Sequence, residues 1–309
     1  MSRTRALRLI AGYGAIASAL PYLALKIVWL SGGSLGATDP TLMRDTSMIA
    51  LNLATAGMDL VGVALALAFT HQWGQRIPAW LLLPPMWVAT GLLARFIIGV
   101  PIVVAAGALA PASVPRAVAG PVQPWVYAVV YTEFAGMGIG LIAAFVLYAK
   151  ARWAGTLDAP AAGAPLGATH ELQVVLANTT VIGAIALTVA ALAATADAVA
   201  RRALVGTALN GIDVGMTMAA AGVLMMVHRI GNTPLFWPLA MAWTGAGSLF
   251  SWGLWQSINV MGRTALMRGA EAPPLVNLVG LLRLITGLVM GLLIVFLLAE
   301  RTTQTVRNA

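Results

Sequence analysis

Six charged side chains lie in stretches of this sequence that are otherwise apolar: Lys26, Asp59, Arg95, Glu133, Asp213 and Arg283. A charge near the centre of a lipid-facing helix costs at least a few kcal/mol, so each of the six is expected to face the interior of a helix bundle. Three are acidic and three are basic. One reading is three ion pairs that pin neighbouring helices together. The other is a polar, water-reachable cavity opening towards the outer leaflet, since counting along each segment puts all six between the midplane and the outer third.

The cavity reading carries chemistry. A carboxylic acid buried among aromatic rings can keep its proton at neutral pH and deliver it to an alkene or epoxide. Aromatic faces then stabilise the resulting carbocation. Asp59, Glu133 and Asp213 are the candidate catalytic carboxylates. Lys26, Arg95 and Arg283 would hold carboxylates ionised or bind an anionic end of a substrate. Helical spacing adds further candidates. Asn52 shares a face with Asp59, and Asn210 shares one with Asp213. Tyr131 is two residues before Glu133, and Trp252 and Trp255 share a segment with Ser248, Ser251, Gln256 and Asn259. That segment suits a cavity wall better than a lipid face. Trp29, Trp125 and Trp237 read instead as interfacial anchors.

The elements that must position these residues follow from composition. The chain has 309 residues, 60% hydrophobic and only 9% charged, with a mean hydropathy of +0.88. Soluble domains carry roughly 25% charged residues, so this is an all-α, polytopic membrane protein. Apolar windows place eight spans near 9–30, 48–70, 79–100, 124–149, 172–198, 204–227, 235–260 and 275–299. Pro21, Pro84 and Pro85 should kink or break the first and third. The segment 101–123, with Pro101, Pro111, Pro115 and Pro121, reads as an outer re-entrant or lid element. Residues 150–171, rich in Ala, Gly and Pro, read as a cytoplasmic linker between a first four-helix half (1–149) and a second (172–309).

The halves share a pattern. Gly57-Met58-Asp59 matches Gly211-Ile212-Asp213, and Pro78, Trp87 and Gly91 match Pro234, Trp243 and Gly247. The run from Gly140 also matches the run from Gly291, and His71 and His228 close corresponding spans. Four spans per half imply a parallel 4+4 repeat about an axis along the membrane normal. Gly136 with Gly140, and Gly287 with Gly291, read as places where helices approach closely.

Several function classes are excluded. The net charge is +8, but the basic residues are scattered singly rather than gathered on one face, which argues against nucleic acid and for topology signals and lipid contacts. Arg3, Arg5 and Arg8 before the first span, which reads as uncleaved, place both termini in the cytoplasm of a bacterial cell. Cysteine is absent, removing thiolate chemistry and cysteine-bound metals. No Walker A sequence, metal-ligand spacing or nucleophile elbow occurs. No metal or cofactor is expected, and the expected partners are membrane lipid and a hydrophobic small molecule.

On its size, its multiple spans and the intramembrane acids Asp59, Glu133 and Asp213, the chain resembles the small polytopic integral membrane terpene cyclases of microbial natural-product pathways. Its first span, PYLALKIVWLSGG from Pro21, is similar to a segment common in membrane proteins of GC-rich bacteria. The resemblance implies a metal-independent, isomerase-type cyclisation of a prenylated substrate by intramembrane carboxylic acids. Two other classes stay open on the residues alone. A small-molecule or proton-coupled transporter would use the paired Asp59 and Asp213. A non-catalytic assembly subunit would use the charges only as glue.

Overall fold

The computed structural model describes residues 3–109, 122–161, 168–200, 204–226, 232–262 and 274–307. They form eight long helices: α1 (Arg3–Leu30), α2 (Thr46–Thr70), α3 (Ala79–Leu109), α4 (Pro124–Leu157), α5 (His170–Ala200), α6 (Leu204–Met226), α7 (Phe236–Met261) and α8 (Pro274–Arg307). Among the described residues, extended pairing is limited to two isolated bridges, Ala37 with Val122 and Pro160 with Pro234. The architecture is all-helical. Seven of the helices are long and apolar enough to cross a membrane. The eighth, α7, is long enough, but its tryptophans, serines, Gln256 and Asn259 dilute its apolar character.

The expected first and third spans run through their prolines. Neither Pro21 in α1 nor Pro84 and Pro85 in α3 ends its helix. Proline removes one backbone hydrogen bond, whereas ending a helix in hydrocarbon exposes several, so continuation is the cheaper outcome. For the same reason α3 runs on through Pro101 to Leu109, and the first part of the expected 101–123 lid is helix. The remainder, 110–121, lies outside the described residues, as do His228 and residues 162–167 of the linker. In α4 the helix is interrupted only at Trp153, where φ is −125° and ψ is 31°.

The outward surface is apolar. Ile10, Ile27, Ile182 and Leu275 are among its most exposed large side chains, the inverse of a soluble protein and the signature of a lipid-facing exterior. Together with the seven apolar helices, this marks a multi-pass membrane protein.

The chain divides into two compact units. The first comprises Met1–Ala149 with Trp255–Asn277, and the second Lys150–Leu254 with Leu278–Ala309.

In the first unit α1 packs extensively on α2 and closely on α4. A side chain at Gly136 would meet Ser18, and one at Gly140 would meet the backbone of Ala11 and Ala15. The small-residue pair of α4 therefore sets the α1–α4 spacing. At one end Phe69 packs against Phe145 and Tyr148, and the Tyr148 hydroxyl donates to the Gly74 carbonyl at 2.9 Å. The opposite end is closed by the chain between α1 and α2. Leu25, Trp29, Met43, Met48 and Val126 form a buried apolar cluster there. The Trp29 indole donates to the Leu35 carbonyl at 2.8 Å, and the Gln123 amide donates to the Gly36 carbonyl at 2.7 Å. Gly36 has φ +73°, and a side chain on it would run into Trp125 and Val126, so only glycine serves this closure. Asp45 caps α2 by accepting from the Ser47 amide.

In the second unit α5 packs extensively on α6. Gly253 of α7 lies against Gly280 and Leu284 of α8, Gly287 lies against Ala246 and Phe250, and Gly183 of α5 meets Thr286. The described parts of the linker are held rather than loose. The Ala161 amide donates to Thr233, and the Leu235 amide to Ala159. Arg301 of α8 donates to the carbonyls of Pro160 and Ala161. Glu300 accepts from the backbone and hydroxyl of Thr169, at the start of α5.

Candidate functional site: a buried carboxylate cluster

Lys26, Asp59 and Glu133 come together inside the first unit. Lys26 sits four residues from the end of α1, Asp59 about 20 Å along α2 and Glu133 about 14 Å along α4, at 1.5 Å of rise per residue. Asp59 and Glu133 lie well inside their helices, and Lys26 lies in the penultimate turn of α1. Lys26 is 1% exposed, Glu133 2% and Asp59 5%. The Lys26 ammonium forms an ion pair with Asp59 and lies 4.0 Å from the centre of the Tyr22 ring, one turn back on α1. Its stem points towards the start of α1, the direction helical side chains favour, which carries the charge deeper into the bundle.

Glu133 is different. Neither of its carboxyl oxygens has a hydrogen-bond partner, and the charges that act on it are those of Asp59 and Lys26. Two carboxyl groups thus share one ammonium. If both were ionised the cluster would carry a net negative charge in a low-dielectric interior, where an uncompensated ion is costly.

A series of aromatic rings meets the cluster at Tyr22. Tyr22 meets Trp29 and Phe134 edge-on, each at 6.1 Å between ring centres. Phe134 lies 4.7 Å from Phe96 of α3, Phe96 6.0 Å from Tyr131, and Tyr131 6.0 Å from Tyr127. The series runs from Trp29, in the buried end cluster, to Tyr131, which is 42% exposed on the outside of α4. Asn52, two turns from Asp59, is buried on α2. Arg95, immediately before Phe96, is half-buried on α3.

Asp213 and Arg283 lie in the second unit. The Arg283 guanidinium donates to Asp213 at 3.2 Å, and their side chains are 15% and 22% exposed for Asp213 and Arg283 respectively. Beside this pair, Leu187, Thr188, Ala191, Val214, Thr217 and Leu249 help line a cavity of about 10 Å³, the room one water needs. Asn210 is half-buried one turn before Asp213. Trp252 is half-buried in the second unit. Trp255 is half-buried in the first, where Asn259 donates to its carbonyl at 2.9 Å.

The structure therefore joins Lys26, Asp59 and Glu133 in one unit and pairs Asp213 with Arg283 in the other. One tryptophan assignment needs correcting. Trp125 and Trp237 are exposed, as interfacial anchors should be, but Trp29 is buried, with its indole N–H satisfied by Leu35. Sequence reasoning also passed over Tyr22, Phe96 and Phe134. The signal was present: Tyr22 is one helical turn from Lys26, and Phe96 and Phe134 directly follow Arg95 and Glu133. Among the described residues, no group of three or more His, Asp and Glu side chains could hold a metal ion.

Fold and site together define a multi-pass helical membrane protein with a carboxylate-rich buried cluster. Compared with known proteins, the chain matches no family model, no curated protein and no solved structure.

Proposed function

We propose that this protein is an intramembrane acid catalyst that cyclises a prenylated, apolar substrate reaching it from the bilayer. The single observation that carries the reading is Glu133: a fully buried carboxyl without a hydrogen-bond partner, beside an ion pair that already uses the available ammonium. The neutral state of this cluster is Lys26 ionised, Asp59 ionised and Glu133 protonated. Glu133 is the proton donor.

The chemistry balances without a cofactor. The π electrons of an alkene form a new C–H bond with the Glu133 proton, and the O–H electrons stay on the carboxylate. The carbocation is attacked by a second alkene of the same molecule, and the cyclised cation returns a proton to a carboxylate. The product is an isomer of the substrate. Tyr22, Phe134, Phe96 and Tyr131 are the cation-stabilising faces, and Asp59, held by Lys26, adds a fixed negative charge. Asp213, paired with Arg283, is the candidate catalytic carboxylate of the second unit. Asn52 and Trp255 are binding positions of the first unit, and Asn210 and Trp252 of the second. The exposed end of the ring series, at Tyr131, gives an apolar molecule a route from lipid.

The test is turnover in heavy water. Membranes carrying the protein are incubated with prenylated amphiphiles and polyprenyl diphosphates, and mass spectrometry seeks an isomer with one solvent-derived deuterium. The expected result is such a product from the parent chain and none from Glu133→Gln. Labelled product persisting in that variant would remove Glu133 as donor.

A second reading has its own support. Each unit carries an intramembrane aspartate on its second helix, paired with a cation from another helix, and α1 on α2 resembles α5 on α6 as a closely packed pair. This favours the parallel 4+4 repeat, with Asp59 and Asp213 as equivalent coupling sites of a proton-coupled transporter. Substrate flux into proteoliposomes that follows an imposed pH gradient would select it over the enzyme. In either case the chain resides in the bacterial cytoplasmic membrane with both termini inside.

A further inference from the structure

The cluster of Lys26, Asp59 and Glu133 has two negative sites for one tethered cation, and it adjoins a series of aromatic rings that reaches the lipid-exposed face of α4. A proton on Glu133 neutralises it. A second cation would do so equally well, and Tyr22, Phe134, Phe96 and Tyr131 supply the surface that attracts a cation whose hydration shell is weak. A small inorganic cation demands a shell of oxygen ligands, which an aromatic surface does not supply. A bulky organic cation needs none.

We propose that this cluster is a binding site for a lipophilic organic cation, which enters from the bilayer beside Tyr131 and displaces one proton from Glu133 as it binds. The inference rests on reading Glu133 as the protonated acid and names the charge type the site accepts. In the enzyme it is the charge of the carbocation, so a permanent cation of similar size is a mimic of that intermediate. The displaced proton passes to the bulk buffer, and the cation takes its place as the counter-charge.

The groups that bear on this exchange are few. From α1 they are Tyr22 and Lys26, from α2 Asp59, and from α4 Glu133 itself with Tyr127 and Tyr131. Arg95 on α3 is half-buried next to Phe96. One proton is expected to leave for each cation bound, because a single charge separates the neutral cluster from the fully ionised one.

The test is calorimetric titration of tetraphenylphosphonium into the full chain in phosphatidylcholine nanodiscs, in two buffers of different ionisation enthalpy. The expected result is saturable binding with about one proton released per cation, and an affinity that rises roughly tenfold per pH unit while Glu133 remains protonated. Glu133→Gln should release no proton and bind at least roughly tenfold more weakly. Binding no greater than in empty nanodiscs, binding without proton release, or an unchanged Glu133→Gln titration would each overturn the proposal. If that variant does not fold, Tyr22→Leu decides, since it removes a ring and no charge. A loss of roughly fivefold is expected, and unchanged affinity overturns the site. No turnover is needed. Cation-for-proton exchange without a deuterated product would leave this site standing and remove the enzyme. A deuterated product without cation binding would do the reverse.

Discussion

The two units solve the same problem differently. Each carries an aspartate on a membrane helix, two residues after a glycine (Gly57 and Gly211), and each gives it a basic partner. In the second unit one carboxylate meets one guanidinium, in a pair that keeps 15% and 22% of its side-chain surface accessible. In the first unit a second carboxyl is added without a second cation, and the whole cluster is buried. A balanced, partly accessible pair is what helix association requires. An unbalanced, sealed one is not explained by association, because burying charge is costly even when it is matched. The difference directs attention to Glu133.

Breaking the first cluster should have the largest effect. Lys26→Met strips the only ammonium from two buried carboxyl groups and is expected to destabilise the protein by about 3–5 kcal/mol. A thermal melt in detergent would read this as a large fall or as failure to accumulate. Adding Asp59→Asn should recover most of the loss, since the second change removes the charge the first left stranded. Additive damage in the double variant would mean that Lys26 and Asp59 do not act as a pair.

The second unit should respond less. Asp213→Asn leaves Arg283 facing an amide in a region that already has room for a water, and the expected cost is about 1–3 kcal/mol. A loss in Asp213→Asn matching that in Lys26→Met would erase the contrast between the units.

Glu133→Gln sharpens the comparison from the other side. It exchanges one neutral, unpartnered polar group for another of the same shape, so stability should change by no more than about 1 kcal/mol, while labelled product disappears. Stability lost together with activity would return Glu133 to a purely structural role.

How far this contrast was legible in the sequence depends on which link is asked for. Hydropathy located the seven described helices that are apolar enough to cross a membrane, because a span must be apolar over a fixed length whatever it packs against. Its ends were less legible. Pro101 looked like the start of a loop, yet α3 passes through it, since backbone satisfaction in lipid outweighs proline's local preference. The six charges could be named from their surroundings alone, but their partners could not. Lys26 reaches Asp59 across 33 positions and Arg283 reaches Asp213 across 70, and helical periodicity carries no information about which faces meet. Trp29 shows the same limit. Its place at a helix end argued for an interface, and only the fold of the chain between α1 and α2 buries it.

The smallest effect is expected at a carboxylate outside the membrane helices, and it calibrates the others. Asp39, in the connection between α1 and α2, accepts from the Thr41 hydroxyl at 2.7 Å and from the Thr41 amide at 2.9 Å. These donors favour the ionised form and hold its carboxyl below the ordinary carboxylate range. The sign follows from linkage. A depressed value in the folded state gives a contribution that is present above the ordinary carboxylate pKa and is lost as pH falls through the folded value. Asp39 is fully solvent-exposed, so screening leaves that contribution too small to move a melting curve. Asp39→Asn should melt with the parent at neutral pH, while the Asp39 carboxyl, followed by NMR, titrates below an ordinary aspartate and moves only part of the way back in Thr41→Val, which keeps the backbone donor. The same hydrogen bonds that hold Asp39 ionised in water are what Glu133 lacks in the membrane. A measurable stability loss in Asp39→Asn would mean that the loop anchors the closed end of the first unit more tightly than its exposure implies.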